Sequence, residues 1–262
     1  MTHFVPGRFD GKVALLTGAA SGIGRSTVIQ LVAEGARVLA VDVNEDGLKS
    51  LIDEVGSGEG SSGDGAARLI VRTGSITERA ECVAAVEQCV AEFGRLDVLG
   101  NIAGISRAEH FGDLEEDHYR AMMAVNVDGP YFLSQAALPH LLEAEGNIVN
   151  IASNAGLMGT SYTVAYSMTK GAIVQLTRSM AMEFSKTKLR VNAIAPGFVT
   201  TGLTRNFHMP DNVDMDLLQP IMGYRGGADP SDIAGLFAFV ASDDGRNMHG
   251  SIISSDLGLT AG

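Results

Sequence analysis

The feature that most constrains the fold is an alternation of short apolar runs with helix-length segments along most of the chain. Seven runs have the composition of strands, at 12–18, 37–43, 68–74, 97–104, 147–153, 190–197 and 251–256. Helix-length stretches such as 22–35, 77–93, 115–143 and 162–186 lie between most of them. Because the strands are apolar throughout and not at alternate positions, both faces of the sheet need cover. The pattern predicts one α/β domain over 1–262, a doubly wound parallel sheet of about seven strands with helices on both faces.

Two stretches interrupt this alternation. Residues 56–65, GSGEGSSGDG, are nearly all Gly, Ser and acid, which is typical of a flexible surface loop before the third strand. Residues 202–224 form a longer irregular insertion with three Met and two Pro. An insertion of that length in a compact domain indicates a lid or substrate-binding loop.

The composition excludes several classes of partner. A net charge of −12 without clustered Lys or Arg argues against nucleic acid and anionic membranes. No apolar run has the roughly 18 to 20 residues of a membrane span, and the N-terminus lacks a signal peptide's apolar core. The two cysteines, Cys82 and Cys89, lie two helical turns apart, too far for a disulfide within one helix, and no His/Cys spacing indicates a metal. We therefore expect a cytoplasmic protein with buried thiols and no metal.

A glycine-rich loop follows the first strand and leads directly into a helix. Gly18, Gly22 and Gly24 would allow a tight turn and close approach of a pyrophosphate to the helix N-terminus, although a plain turn is also compatible. Asp42 ends the second strand, where a carboxylate can accept both hydroxyls of an adenosine ribose. It would repel a 2′-phosphate, and Ser21 supplies no cation to offset that repulsion. These residues predict a Rossmann-type site that prefers NAD to NADP, with a surface or helix-capping Asp42 as the alternative.

The stretch AYSMTK places Tyr166 and Lys170 four residues apart, on one face of a predicted helix. By itself this spacing fits a pair of solvated neighbours equally well. Other motifs accompany it in a fixed order: TGxxxGIG at 17–24, Asp42, N-x-A-G at 101–104, VNV at 125–127, a serine 13 residues before the tyrosine, and PGFVTT at 196–201. Together they resemble the short-chain dehydrogenase/reductase family, and the resemblance runs from Gly11 to the C-terminus.

The resemblance implies a role for each matching position. Tyr166 would be the acid/base, Lys170 the partner that lowers its pKa, Ser153 the hydrogen-bonding partner of the substrate oxygen, and Asn126 the anchor of a proton relay. The residues implied to bind the cofactor, or placed there by the loop argument, are Gly18, Ser21, Gly22, Ile23, Gly24, Asp42, Asn101, Ala103, Gly104, Tyr166, Lys170, Pro196, Gly197, Val199 and Thr201.

Simple electrostatics supports these roles. A tyrosine with a pKa of about 10 must lose about three units, or roughly 4 kcal/mol, to act as a base near pH 7. An ammonium about 4 Å away supplies on the order of 4 kcal/mol at an effective dielectric constant of about 20. We therefore expect Lys170 close to Tyr166, assisted by the positive charge of an oxidised nicotinamide.

Four positions depart from the family pattern. Gly100 and Ile102 replace the usual Val and second Asn, which puts a polar link between the central strands in doubt. Ser75 replaces an Asp that meets adenine in many relatives. Leu257 stands where two consecutive glycines are usual, which leaves the conformation of that end open.

The substrate side is expected to be apolar. Its predicted lining residues are Leu157, Met158, Phe198, Phe207, Met209 and Met222. Flexible apolar side chains of this kind suit a hydrophobic secondary alcohol, alicyclic, aromatic or steroid-like, but the methionines could equally fill a core. His110 and His208 could touch substrate or be ordinary loop histidines.

The sequence thus predicts an NAD-dependent oxidoreductase that interconverts a secondary alcohol and its ketone. One alternative is a 3-oxoacyl-[acyl-carrier-protein] reductase, which would normally use NADPH and need basic residues for an acidic carrier. Another is a non-catalytic dinucleotide sensor, which would not need Ser153, Tyr166 and Lys170. The resemblance also implies a homotetramer or homodimer, packed through the long helices 115–143 and 162–186.

Overall fold

Seven parallel strands form one sheet in the computed structural model, which describes residues 4–56, 68–202 and 208–261. The strands are β1 (Val13–Thr17), β2 (Arg37–Asp42), β3 (Leu69–Thr73), β4 (Val98–Asn101), β5 (Asn147–Ile151), β6 (Arg190–Pro196) and β7 (Ile252–Ser255). They lie in the order β3-β2-β1-β4-β5-β6-β7, and every neighbouring pair is parallel. The predicted α/β class, strand number and doubly wound arrangement are confirmed.

Helices cover both faces of this sheet. They are α1 (Gly22–Ala33), α2 (Glu45–Gly56), α3 (Arg79–Phe93), α4 (Glu116–Met123), α5 (Gly129–Glu143), α6 (Val164–Glu183), α7 (Met215–Met222) and α8 (Pro230–Ala241). Helices α1, α2 and α8 contribute to one buried apolar cluster, and α3, α5 and α6 to another. Strand β1 separates the two clusters, because Ala14 and Leu16 face the first while Val13 and Leu15 face the second.

The predicted helix 115–143 contains an irregular turn. Helix α4 runs into a π-helical turn, Ala124–Asp128, which continues directly into α5. A single π turn inside a helix displaces side chains from regular α spacing and is frequent at functional sites. Here the turn contains the buried Asn126.

The 202–224 segment is more regular than expected. Its residues 215–222 form helix α7, whose N-cap Asp214 accepts a hydrogen bond from the backbone N–H of Asp216. The prediction of a wholly irregular insertion is therefore wrong for its second half, where a side-chain cap satisfies the first turn. Residues 203–207 lie outside the described residues, as do positions 57–65 of the predicted loop 56–65.

None of the helices in the described ranges is both long enough and apolar enough to cross a membrane.

Candidate functional site

The glycine-rich loop after β1 forms the floor of a cleft at the carboxyl ends of the strands. Gly18 has a φ of +67°, and a Cβ there would lie 2.8 Å from the Cα of Ala103. A Cβ on Gly24 would overlap the carbonyl oxygen of Gly18. The chain therefore needs glycine at both positions to bring the start of α1 close to the loop. The cleft has a volume of about 310 Å³ and opens at the N-terminus of α1, a favourable position for a pyrophosphate.

Asp42 ends β2 on the wall of this cleft. Its Oδ2 accepts a hydrogen bond from the Ala20 N–H at 3.0 Å, and its Oδ1 accepts one from the Asn44 N–H at 2.9 Å. Two backbone donors thus fix the carboxylate before any ligand contacts it. This geometry fits the ribose hydroxyls of a dinucleotide, and the glycine cradle fits its phosphates.

Arg25 is a cation beside the cleft that the sequence analysis did not consider. It directly follows Gly24, but its guanidinium turns towards α2, where Nε and Nη2 donate to Glu54 at 2.9 and 2.6 Å. Its Nη1 donates to the Gly47 carbonyl at 3.0 Å. The charge of Arg25 is therefore already paired with a carboxylate behind the loop.

Three of the four predicted catalytic side chains, all except Asn126, meet in a second cavity of about 110 Å³. Ser153 follows β5, while Tyr166 and Lys170 lie on successive turns of α6, and all three line the cavity. This cavity shares Ile23, Ile102, Gly104 and Thr201 with the first cleft. A molecule in the first cleft can therefore extend one end to Tyr166.

Lys170 and Asn126 occupy fixed positions beside Tyr166. The Nζ of Lys170 donates to the Ile151 carbonyl at 2.8 Å. Asn126 donates to the Ile105 carbonyl at 2.8 Å and accepts from the Ile105 N–H at 2.9 Å, so its amide mimics a strand partner for that loop. A Cβ on Gly104 would lie 3.3 Å from Asn126 Oδ1 and 3.4 Å from Lys170 Nζ, which places both groups around one backbone position.

The pKa values differ from the sequence-based expectation. Burial lowers the pKa of Lys170 to about 8. Burial also raises the pKa of Tyr166, and a side-chain hydrogen bond with Ser153 partly offsets this rise. Lys170 Nζ lies 5.8 Å from the centre of the tyrosine ring and donates a hydrogen bond to the Ile151 carbonyl oxygen.

Asn101 does not line either cavity. Its side chain is buried, and Nδ2 donates to Asn150 Oδ1 at 2.8 Å and to Ser134 Oγ at 3.1 Å. Asn150 in turn donates to Thr177 Oγ1 at 2.9 Å, so a polar link does join β4, β5 and α6. The doubt raised by the missing second asparagine is therefore unfounded.

Gly100 accommodates a large neighbour on the other face of β4. A Cβ there would lie 2.5 Å from a methyl carbon of Leu16 and 2.9 Å from the ring of Phe237. The phenylalanine of α8 thus packs directly on the strand backbone. A valine at this position would require the side chains of Leu16 and Phe237 to shift.

The remaining predicted cofactor residues lie where the two cavities adjoin. Ser21, Gly22 and Ala103 line the first cleft, Pro196, Gly197 and Val199 line the second, and Thr201 lines both. Ser75 also lines the first cleft, and its hydroxyl lies 2.9 Å from that of Thr77. The C-terminal segment closes behind Gly197, where a Cβ would lie 2.9 Å from the Cα of Asp256.

Leu257 adopts a left-handed backbone conformation, with φ of +56°. Such a conformation costs a non-glycine residue roughly 1–2 kcal/mol. The carboxylate of Asp256 offsets this strain by accepting from the N–H groups of Gly258 and Thr260 at 3.1 and 3.0 Å. The position that is usually glycine therefore keeps a turn, stabilised here by the preceding aspartate.

The predicted apolar substrate side chains among the described residues line neither cavity. Leu157, Phe198, Met209 and Met222 are all exposed, Met158 is partly buried, and Phe207 lies outside the described residues. His208 is exposed. The exposed apolar groups therefore do not fill the core and remain accessible to a ligand.

Tyr162 ends the stretch 154–162, which the sequence places at the substrate pocket without a role for this residue, and it contacts the segment that carries α7. Its hydroxyl accepts from the Asp214 N–H at 2.7 Å, and its ring stacks edge to face on His110 at 5.2 Å. His110 Nε2 lies 2.8 Å from the Asp211 carbonyl oxygen, so it contacts the lid segment. Tyr162 also has a φ of +63°, a strained conformation that the local sequence does not predict.

The strand order and the cleft are those of a dinucleotide-binding α/β protein, with a partly buried tyrosine and a buried lysine at the far end of the cleft. A model of the short chain dehydrogenase family matches residues 12–211. The chain belongs to the short-chain dehydrogenase/reductase family of oxidoreductases, as the resemblance predicted.

Its relatives include reductases and alcohol dehydrogenases. The chain is 34% identical to a 3-oxoacyl-[acyl-carrier-protein] reductase of Thermotoga maritima, over 96% of this chain and 99% of the relative. It is 34% identical to a meso-2,3-butanediol dehydrogenase of Serratia marcescens, over 97% of this chain and 96% of the relative. A crystal structure of a 3-ketoacyl-(acyl-carrier-protein) reductase from Brucella melitensis complexed with NADH superposes with a TM-score of 0.84 at 29% identity, covering 96% of this chain and 99% of that chain.

Proposed function

We propose that this protein is an NAD(H)-dependent dehydrogenase that interconverts a hydrophobic secondary alcohol and its ketone. The observation that carries the proposal is the meeting of Ser153, Tyr166 and Lys170 in a cavity continuous with the dinucleotide cleft. When bound, the nicotinamide accepts or supplies the hydride. The protein's own groups then have to handle one proton on the substrate oxygen.

In this proposal Tyr166 exchanges that proton with the substrate oxygen, and Ser153 hydrogen-bonds the same oxygen. Lys170 is held by the Ile151 carbonyl, where its charge favours an ionised tyrosine and its donors can reach a ribose. Because burial alone raises the pKa of Tyr166, the tyrosine is protonated at neutral pH until further positive charge arrives. That condition suits proton donation to a ketone, and oxidation should require higher pH.

For the cofactor we infer a preference for NAD over NADP. Asp42 is fixed by two backbone N–H groups at the end of β2, and an added 2′-phosphate would meet its negative charge. Arg25 could offer compensation only by leaving Glu54, with which it makes two hydrogen bonds. NADH in the Brucella melitensis relative is in keeping with this choice.

A second candidate is reduction of a 3-oxoacyl group on an acyl carrier protein, favoured by the 34% identity to the Thermotoga maritima reductase. The negative charge of the predicted lid segment argues against an acidic protein partner. The described part of the lid, residues 208–222, carries Asp211, Asp214 and Asp216 and contains no Lys or Arg. Negative charge at the mouth would slow association with an acidic carrier.

We also propose that the protein forms a homodimer or homotetramer through the long helices. Three large apolar side chains on these helices are about half exposed or more: Tyr131 on α5, and Met168 and Met182 on α6, with Met182 at 75%. Apolar side chains exposed along two long helices fit a helical interface between copies of the chain.

The test is the Tyr166→Phe variant, with Tyr119→Phe as the matched control. A panel of secondary alcohols and ketones is followed by NADH or NADPH absorbance at two pH values. We expect Tyr166→Phe to lose at least about a hundredfold in kcat, as expected for loss of a general acid/base. Cofactor binding and the activity of Tyr119→Phe should be retained. Substantial turnover by Tyr166→Phe would refute the assigned role.

A further inference from the structure

Asn154, which directly follows Ser153, makes contacts that no assigned role uses. Ser153 Oγ donates to Asn154 Oδ1 at 3.0 Å. The N–H of Ala155 donates to the same Oδ1 at 2.9 Å and lies 3.2 Å from Ser153 Oγ. The three residues therefore form a small closed set of hydrogen bonds at the edge of the catalytic cavity.

The position of Asn154 is rigid. Residues Asn154–Gly156 form a 3₁₀ turn, and a Cβ on Gly156 would lie 2.6 Å from the backbone carbonyl oxygen of Lys170. The turn thus lies directly on α6, next to the catalytic lysine. The backbone of the turn therefore cannot move towards α6, and its hydrogen bonds hold the Asn154 amide oxygen beside Ser153 and Ala155.

The Ala155 N–H also decides which way the amide points. A backbone N–H can only donate, so the atom of Asn154 that faces it has to be the oxygen. That same oxygen faces Ser153, so the serine hydroxyl has to be the donor in their hydrogen bond. The orientation of the amide therefore follows from chemistry and not from an arbitrary choice between oxygen and nitrogen.

The hydrogen bonds of Ser153 leave one position for the reaction. A serine hydroxyl has one proton and two lone pairs. The proton goes to Asn154, and one lone pair faces the Ala155 N–H. The remaining lone pair is left for a donor in the cavity that Ser153 lines together with Tyr166. A hydrogen bond from Ser153 to Tyr166 lowers the pKa of the tyrosine, and it needs the proton that Asn154 holds.

We propose that Asn154 is a positioning residue that holds the Ser153 proton, so that Ser153 presents a lone pair, and not a proton, to Tyr166 and the substrate. This inference rests on the proposed function, because it assigns a direction to hydrogen bonds of the same site. A serine in this state accepts a hydrogen bond from an alcohol or from neutral Tyr166. To donate to a ketone or to an ionised tyrosine it has to break its bond to Asn154.

As a consequence, the neutral side chain of Asn154 influences the pH at which Tyr166 ionises. Asn154 competes with the tyrosinate for the Ser153 proton, so it favours protonated Tyr166. The facing charged group is Lys170, one turn away on α6. Strand β5, the turn Asn154–Gly156 and residues 102–105 contain no charged side chain. Helix α4, the π turn and β6 also pack on α6. Their charged or titratable side chains line neither cavity: Glu116, Asp117, His118, Tyr119, Arg120, Asp128 and Arg190.

Two variants separate this role from a structural one. Asn154→Leu removes the acceptor at similar volume, whereas Asn154→Asp keeps an oxygen for both donors. At saturating NAD, we expect Asn154→Leu to move the acidic limb of the kcat/KM profile for alcohol oxidation to lower pH. The shift should be about half to one pH unit, the equivalent of one lost neutral hydrogen bond. Asn154→Asp should leave the limb in place or move it to higher pH.

Purely structural damage would lower activity without moving the limb. An unchanged or raised limb in Asn154→Leu, or an equal downward shift in Asn154→Asp, would overturn the proposal. Near-ultraviolet titration of tyrosinate, taken as the difference from Tyr166→Phe, measures the same effect without turnover. The tyrosine of Asn154→Leu should ionise at lower pH than in the wild type. This readout stays decisive even if Tyr166→Phe remains active and the proposed function fails.

Discussion

Replacing Lys170 by methionine would remove a buried ammonium and keep most of the side-chain volume. Burial lowers the pKa of this lysine from 10.5 to about 8, and its side chain is only 4% exposed. The folded protein therefore binds the lysine proton less tightly than the unfolded chain does. Between pH 8 and 10.5 the unfolded chain holds more protons, so this residue makes stability rise with pH across that window.

The size of the effect follows from the shift. The difference between 10.5 and about 8 is about 2.5 units, and at about 1.4 kcal/mol per unit it corresponds to roughly 3 kcal/mol against folding at neutral pH. The free energy of unfolding of the wild type should therefore rise by about 1 kcal/mol relative to that of Lys170→Met between pH 7 and 9. Most of the rest of the roughly 3 kcal/mol should be gained by about pH 10. Loss of the hydrogen bond to the Ile151 carbonyl changes the free energy of unfolding of Lys170→Met equally at every pH. Only the titration of Lys170 makes the difference between the two proteins depend on pH.

The measurement is the free energy of unfolding in urea, without added nucleotide, at several pH values and one protein concentration. Lys188→Met is the matched control, because Lys188 is exposed and pairs with Glu145 at the surface. Its difference from the wild type should stay constant over the same pH range. A difference between the wild type and Lys170→Met that does not change with pH would refute the assignment of a depressed lysine pKa.

Two further predictions concern the cofactor and the core. The double variant Ser21→Arg/Asp42→Ala should raise the ratio of kcat/KM for NADP to kcat/KM for NAD by tenfold or more, because it exchanges a repulsive charge for an attractive one. Steady-state kinetics with both cofactors measures this ratio. An unchanged ratio would contradict the role of Asp42. Gly100→Val should destabilise the fold by about 1–3 kcal/mol through overpacking, and Phe237→Leu in the same chain should restore part of that loss. Thermal unfolding measures both variants, and full stability of Gly100→Val alone would contradict the close packing at β4.

The sequence predicted most of what depends on local pattern. Seven apolar runs separated by helical segments identified a parallel sheet covered on both faces, because burial on both sides demands apolar residues at every strand position. The ordered motifs identified the family. The side chains of Ser153, Tyr166 and Lys170 are brought into one cavity, although their roles remain predictions until variants are tested.

What the sequence missed depends on which atoms meet across the fold. Asn101 matched a motif, but its side chain turns away from the cleft to bond Asn150. Arg25 lies next to the glycine loop, yet Glu54 on another helix decides where its charge points. The strained Tyr162 contacts the N-cap of α7 through its hydroxyl and the Asp214 N–H, and no local sequence pattern predicts this contact.

The sequence by itself determined the class of fold, the family and the position of the dinucleotide loop, because periodicity and turn chemistry act over a few residues. Only the tertiary structure decided the protonation of the site. Burial raises the pKa of Tyr166 and lowers that of Lys170, and Asn154 directs the proton of Ser153. The burial of these side chains and the direction of their hydrogen bonds depend on segments that are far apart in the sequence. No single stretch of the chain therefore determines them.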